Sequence, residues 1–179
     1  MDSRLDAVAE ETDRNRATFE AFCRSLSPGE LARPVPRATW LVKGYIAHLA
    51  SIDIWVGDWF EHQADGRRWR PTMEDGSAFD IDRWNEARAA ERAHVNVDDL
   101  LAEAAVHRKR LWSAVDRFSP DVLDRPFNFR GHEITFLRYL QLWAGHDPAH
   151  SADMLRALPE RRGDPALKEW FEPYGFLES

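Results

Sequence analysis

Four stretches of this chain repeat apolar side chains every three to four residues, and prolines and glycines stand between them. That period is the helical one, and a chain built almost wholly on it has few folds open to it. The first stretch runs from Asp2 to Leu26, with Leu5, Val8, Phe19, Phe22 and Leu26 in register around a very polar middle, and Ser27-Pro28-Gly29 stops it. Pro34 and Pro36 make the next residues a connector. Thr39 reads as the N-cap of a second helix reaching Gln63, whose stripe is Val42, Tyr45, Ile46, Leu49, Ile52, Val56, Trp59 and Phe60. After Asp65-Gly66 and a surface connector, helix resumes near Asp80, breaks at Val95-Asn96-Val97 and continues behind a cap at Asp98. A connector from Ser119 to Gly131 leads to a last helix from Glu133 to Leu158, ended by Pro159. No segment sustains a two-residue alternation, so no strand is expected. The expectation is an all-α four-helix bundle over residues 1–160, around a single apolar core, with a short C-terminal tail (161–179) docked on it through Leu167, Trp170, Phe171, Tyr174 and Phe176.

At 179 residues the chain fits one domain, long enough to bury a core without disulfide or metal staples. Its single cysteine, Cys23, excludes an internal disulfide and a cysteine-based zinc ribbon, and points to a reducing, cytoplasmic setting. The N-terminus carries no apolar core of a signal peptide, and no run approaches a membrane span, so neither secretion nor a membrane partner is expected. With 24 basic against 31 acidic side chains the net charge is −7, which argues against nucleic acid as a partner. Only three of the basic residues are lysine, the mark of a GC-rich genome. Of the 21 aromatic residues, eight of them tryptophan, most are expected in the core and some to wall a pocket for a small molecule.

Seven histidines contain one pair, His146 and His150, four residues apart in the last helix, a spacing that aims both rings from one face. Chance alone gives about 0.3 such pairs in a chain of this composition, so a solvated pair is the competing reading. His48 falls at the shoulder of the second helix's apolar stripe, near Ile52, Trp55 and Trp59; its competing reading is a boundary histidine bonded to backbone. Pro148, between the paired histidines, leaves two readings: a kinked continuous helix, preferred because the apolar period resumes at Met154, Leu155 and Leu158, or a helix that stops at Gly145 and restarts with Asp147 as cap and Pro148 at its first position.

Three segments carry a resemblance to the DinB/YfiT-like superfamily, in its mycothiol-dependent maleylpyruvate isomerase branch: Thr39-Trp40 with Tyr45-Ile46-Ala47-His48-Leu49, then Phe79-Asp80-Ile81-Asp82-Arg83-Trp84-Asn85-Glu86, then Thr135 to Arg138 with His146-Asp147-Pro148-Ala149-His150. The resemblance spans about residues 5 to 158. It implies a DinB-like four-helix bundle holding a divalent metal, zinc or nickel, on His48, His146 and His150. It further implies thiol chemistry with mycothiol or another low-molecular-weight thiol, in an S-transferase or isomerase. Three imidazoles leave positions open on the ion, as catalysis needs. A non-catalytic or stress-associated binding protein and a metal-dependent hydrolase are the other readings.

Around those histidines Trp55, Trp59, Tyr139 and Trp143 are expected to wall the pocket that takes the thiol or substrate. Asp53 and Asp147 fall on the apolar faces of their helices; each is either a catalytic or orienting carboxylate or one half of a buried ion pair with an arginine. Asn85 reads as a cap or an interhelical contact, and Cys23 as a small core residue. Arg67, Arg68 and Arg70 around Trp69 are either an anion clamp or a solvated loop. His62, His94, His107 and His132 read as surface residues. Exposed aromatics in the tail and in the 65–80 connector allow a homodimer.

Overall fold

The structure is a computed structural model that describes residues 2–176, so the last residues of the expected tail, 177–179, lie outside it. It is mostly helical (67%), with one small hairpin. The chain divides into two compact units, Met1–Tyr45 with Leu123–Ser179, and Ile46–Val122. Among the described residues no helix is long and apolar enough to cross a membrane.

The first unit begins with α1 (Ser3–Ser25), capped by the Asp2 carboxylate, which accepts from the Arg4 N–H. Its buried stripe is Leu5, Val8, Thr12, Asn15, Arg16, Phe19, Phe22 and Cys23. The very polar middle therefore does not interrupt burial: Thr12 donates to the Val8 carbonyl, while Asn15 and Arg16 reach partners far along the chain. Ser27 opens a one-turn helix, α2 (Pro28–Leu31), through a capping box with Glu30, and Arg161 of the tail closes on the Glu30 carboxylate at 2.7 Å. Pairing of Pro34 with Leu41, with Val35 donating to the Trp40 carbonyl, holds residues 34–41 as a tight loop. That pairing moves the start of the next helix: α3 (Val42–Ala64) begins three residues past Thr39.

The second unit takes α3 from Ile46 onward, then α4 (Ile81–Glu91) and α5 (Val97–Val115). α4 starts beside Asp80, where helix was expected to resume, and the Asp80 side chain caps it; Asn96 and not Asp98 caps α5: its side chain accepts from the Asp99 N–H, which places Asp98 inside the first turn. At Gly57 α3 faces α5 with room to spare for a side-chain carbon: a Cβ there would lie 3.9 Å from the Leu111 Cα, an ordinary contact. Phe60 packs edge-on against Phe118, and Arg110 spans both Asp58 and Glu61. Trp69 and Phe79, from the connector, pack on Trp55 of α3.

Past the short α6 (Pro120–Leu123) the first unit resumes with a hairpin, β1 (Pro126–Phe129) paired antiparallel to β2 (His132–Thr135). This corrects the expectation of no strand. Four-residue strands carry too few positions to show an alternation, and the turn is Arg130-Gly131, with φ of 51° and 88°, instead of an Asn-Gly pair. Glu133 pairs with Asn128 in the hairpin, so the helix expected from Glu133 starts later, as α7 (Phe136–Ala144) capped by Thr135. A second correction follows at Gly145, where the expected continuous last helix is two helices, α7 and α8 (His146–Met154). α1 packs along both. The tail forms a 3-10 turn (Pro159–Gly163), then α9 (Pro165–Phe171), which buries Leu167, Trp170 and Phe171 and packs on α8.

Candidate metal centre

The break at Gly145 settles what Pro148 does. α8 restarts at His146, so Pro148 is its third residue, within the first turn, where backbone N–H groups have no partner in the helix. Neither sequence reading had this arrangement: the helix stops where the restart reading put it, yet both histidines lie inside one helix and keep their shared face. Their ring centroids are 4.6 Å apart, edge to face.

His48 sits on α3 one turn after Tyr45, and the Tyr45 ring lies 5.5 Å from that of His150. His48, His146 and His150 each offer one ring nitrogen, and the three nitrogens all lie within 4.8 Å of one another. His48 is buried and the other two are half-buried. Three neutral imidazoles are a donor set that suits zinc, nickel or copper, and three ligands leave coordination positions open. The residues present therefore fit a divalent cation.

Two neighbours shape these ligands. His150 Nδ1 lies 3.2 Å from an Asp153 carboxylate oxygen, so its N–H donates there and Nε2 keeps its lone pair for a cation. Asp153 also pairs with Arg156 at 3.0 Å. Trp143 stacks on His146 at 4.4 Å and 18°, and Tyr139 stacks on Trp143 at 6.0 Å. Burial pushes the Tyr45 hydroxyl pKa up, with a smaller push from the Asp153 carboxylate, so the phenol stays protonated at neutral pH.

Of the expected pocket wall, Tyr139 and Trp143 thus stack in line behind His146. Trp55 and Trp59 lie 6.0 Å apart and cluster with Trp69 and Phe79. Asp53 and Asp147 both sit in buried ion pairs. Asp53 pairs with Arg108 of α5; Asp147 takes Arg16 of α1 on both oxygens, each at 3.0 Å. Cys23 is buried, and burial raises its thiol pKa. Arg67 pairs with Asp65, while Arg68 and Arg70 are exposed. His94 and His132 are exposed; His62 binds the Asp58 carbonyl one turn back, and His107 faces Glu103 at 3.6 Å. Sequence reasoning missed Asp153, whose only signal is its place three residues after His150, and it took Tyr45 for a plain core residue.

The histidine group and its helical frame define a class, helical proteins with an open three-imidazole site. The sequence profile of the DinB superfamily matches residues 11–154, and the chain belongs to that superfamily. Among solved structures it is similar to mycothiol-dependent maleylpyruvate isomerase and to a histidine-to-alanine mutant of that enzyme, each with a TM-score of 0.64 and 14% identity. The match covers 84% of this chain and 60% of the isomerase. Comparison with curated proteins finds no match.

Proposed function

We propose that His48, His146 and His150 hold one divalent cation, zinc or nickel, and that the protein is an enzyme acting on a small electrophilic molecule with a low-molecular-weight thiol such as mycothiol as nucleophile. The observation that carries the reading is the convergence of three ring nitrogens within 4.8 Å, one side chain short of a closed structural site. When bound, the cation supplies Lewis acidity, which lowers the pKa of a thiol or water and polarises a substrate oxygen. The chain's own residues do the rest. Asp153 holds the His150 Nδ1 proton and orients the ring. Trp143 covers one face of His146. The Tyr45 ring packs beside that of His150, and its hydroxyl stays protonated. The fold shared with a mycothiol-dependent isomerase supports the thiol, and the acidic net charge of −7 speaks against a nucleic-acid substrate.

Metal content measured on the purified protein and on His150→Ala tests the site. About one equivalent in the wild type, lost in the variant while the helical circular dichroism persists, is the expected result. A wild-type protein that binds neither zinc, nickel nor cobalt overturns it. Turnover of an electrophile that requires added thiol supports the transferase or isomerase. Thiol-independent turnover makes the protein a hydrolase, and stoichiometric metal without turnover makes it a binding protein.

A further inference from the structure

Pro148 has no N–H, so the carbonyl four residues before it, that of Ala144, loses the donor a continuous helix would provide. This carbonyl is buried with Ala144, where an unmet acceptor is costly. The donor comes from elsewhere: the Asn15 side-chain amide of α1 reaches it at 2.7 Å. Asn15 is itself buried and fully matched. Trp170 of α9, which can only donate, gives its indole N–H to Asn15 Oδ1 at 2.9 Å, and this fixes which way the amide faces. The second Asn15 N–H goes to the Tyr174 hydroxyl at 2.7 Å, and that hydroxyl donates to Glu11 at 2.6 Å. Burial, with the Glu11 carboxylate, pushes the Tyr174 pKa up to about 12, so the hydroxyl remains a donor at any ordinary pH. The Tyr174 ring also lies against Gly145: a Cβ there would come within 3.4 Å of it. One residue further on is His146. The tail that supplies Trp170 and Tyr174 lies beyond the region matched to the superfamily.

We propose that Asn15 is a positioning residue for the histidine pair. It replaces the N–H that Pro148 lacks, the tail clamps it through Trp170 and Tyr174, and the two together hold open the break between α7 and α8 that aims His146 and His150. The break, and not α8 alone, sets the angle of the two rings relative to the Tyr139–Trp143 stack. The proposal rests on the ligand roles given to those histidines above.

The test compares Asn15→Ala, Pro148→Ala and the double variant in the full chain. Three quantities are read: the metal-free melting midpoint, cobalt(II) affinity by absorption titration, and the imidazole nitrogen resonances of His146 and His150 at fixed pH without metal. Asn15→Ala should lower the midpoint by roughly 2–12 °C, the range expected when one buried acceptor loses its partner in a domain of this size. In the double variant the alanine that replaces Pro148 supplies the missing backbone N–H. The midpoint should then return toward wild type as the helix straightens. Cobalt should still bind about ten- to a hundred-fold more weakly, the range found when an orienting partner of a ligand is lost, and the His146 resonances should stay displaced. Recovered stability without recovered affinity is what a merely structural role would not give. The proposal is overturned if Asn15→Ala leaves the midpoint and the resonances unchanged, if the double variant stays as unstable as Asn15→Ala, or if it binds cobalt like the wild type. If the wild type itself binds no cobalt, the metal reading above fails, and the midpoints and metal-free resonances still decide the role of Asn15.

Discussion

His48 and the His146/His150 pair are presented in two different ways. His48 rides on a helix of 23 residues that runs without interruption, and its direction follows from the helical period once the apolar stripe of α3 is buried. His146 and His150 ride on a helix of nine residues that follows a break, and no local rule sets the direction of that helix. Its place depends on side chains from far along the chain: Arg16 on Asp147, Asn15 on the Ala144 carbonyl, Tyr174 against Gly145. Cooperative backbone bonding stabilises the long helix, whereas a short one depends on tertiary partners. The second region should therefore be the more sensitive to single polar substitutions.

The strongest way to break this contrast is Arg16→Ala. It leaves the Asp147 carboxylate buried without its guanidinium partner, which costs about 3–5 kcal/mol. Urea unfolding should show the loss, and the Arg16→Ala/Asp147→Ala double variant should lose much less than the sum of the singles. A loss below about 1 kcal/mol, the range of an exposed pair, would mean that α8 does not depend on that pair. Asp153→Ala comes next. It removes the acceptor of the His150 Nδ1–H and should weaken zinc or nickel binding by about 10–100-fold with little change in melting; isothermal titration reads it. Two glycines of α3 sharpen the comparison on one helix. A Cβ at Gly44 would sit 2.9 Å from the Trp40 Cβ, so Gly44→Ala should destabilise by about 1–3 kcal/mol. Gly57→Ala meets only ordinary contact with Leu111 and should stabilise by about 0.5–1 kcal/mol through helix propensity. Thermal unfolding of the pair distinguishes them by sign.

The gentlest prediction concerns Glu30. The Arg161 guanidinium, helped by the Ser27 N–H, holds its carboxyl down at about 2, against 4.5 unperturbed. The folded value is the lower one, so its stabilising effect is present above pH 4.5 and is lost as the pH falls from there toward 2. Glu30→Gln should flatten that part of the stability–pH curve, and an unchanged acid limb would rule the pair out as its source.

Much of this was legible along the chain. Periodicity placed α1 within a residue or two at each end, and the resumption of helix near Asp80 matches the start of α4 at Ile81. The three histidines were readable from the family resemblance, with i, i+4 spacing supporting only two of them. Other features were not legible, each for a physical reason. β1 and β2 are too short to alternate visibly, and their turn puts an arginine in the left-handed region. The start of α3 is set by the pairing of Pro34 with Leu41, seven residues apart, which no cap rule describes. Asn15 and Arg16 looked like a polar flaw in an apolar stripe because their partners lie 129 and 131 residues away.

The sequence by itself determined that the chain is helical, where its long helices lie, and that three imidazoles were on offer, because helical period and ligand chemistry are local properties of side chains and spacing. Only the tertiary structure decided where the last helix breaks, which arginine meets which aspartate, and that three ring nitrogens converge. Those outcomes depend on which buried donor finds which buried acceptor once the chain has closed on itself, and spacing along a single helix carries no record of that.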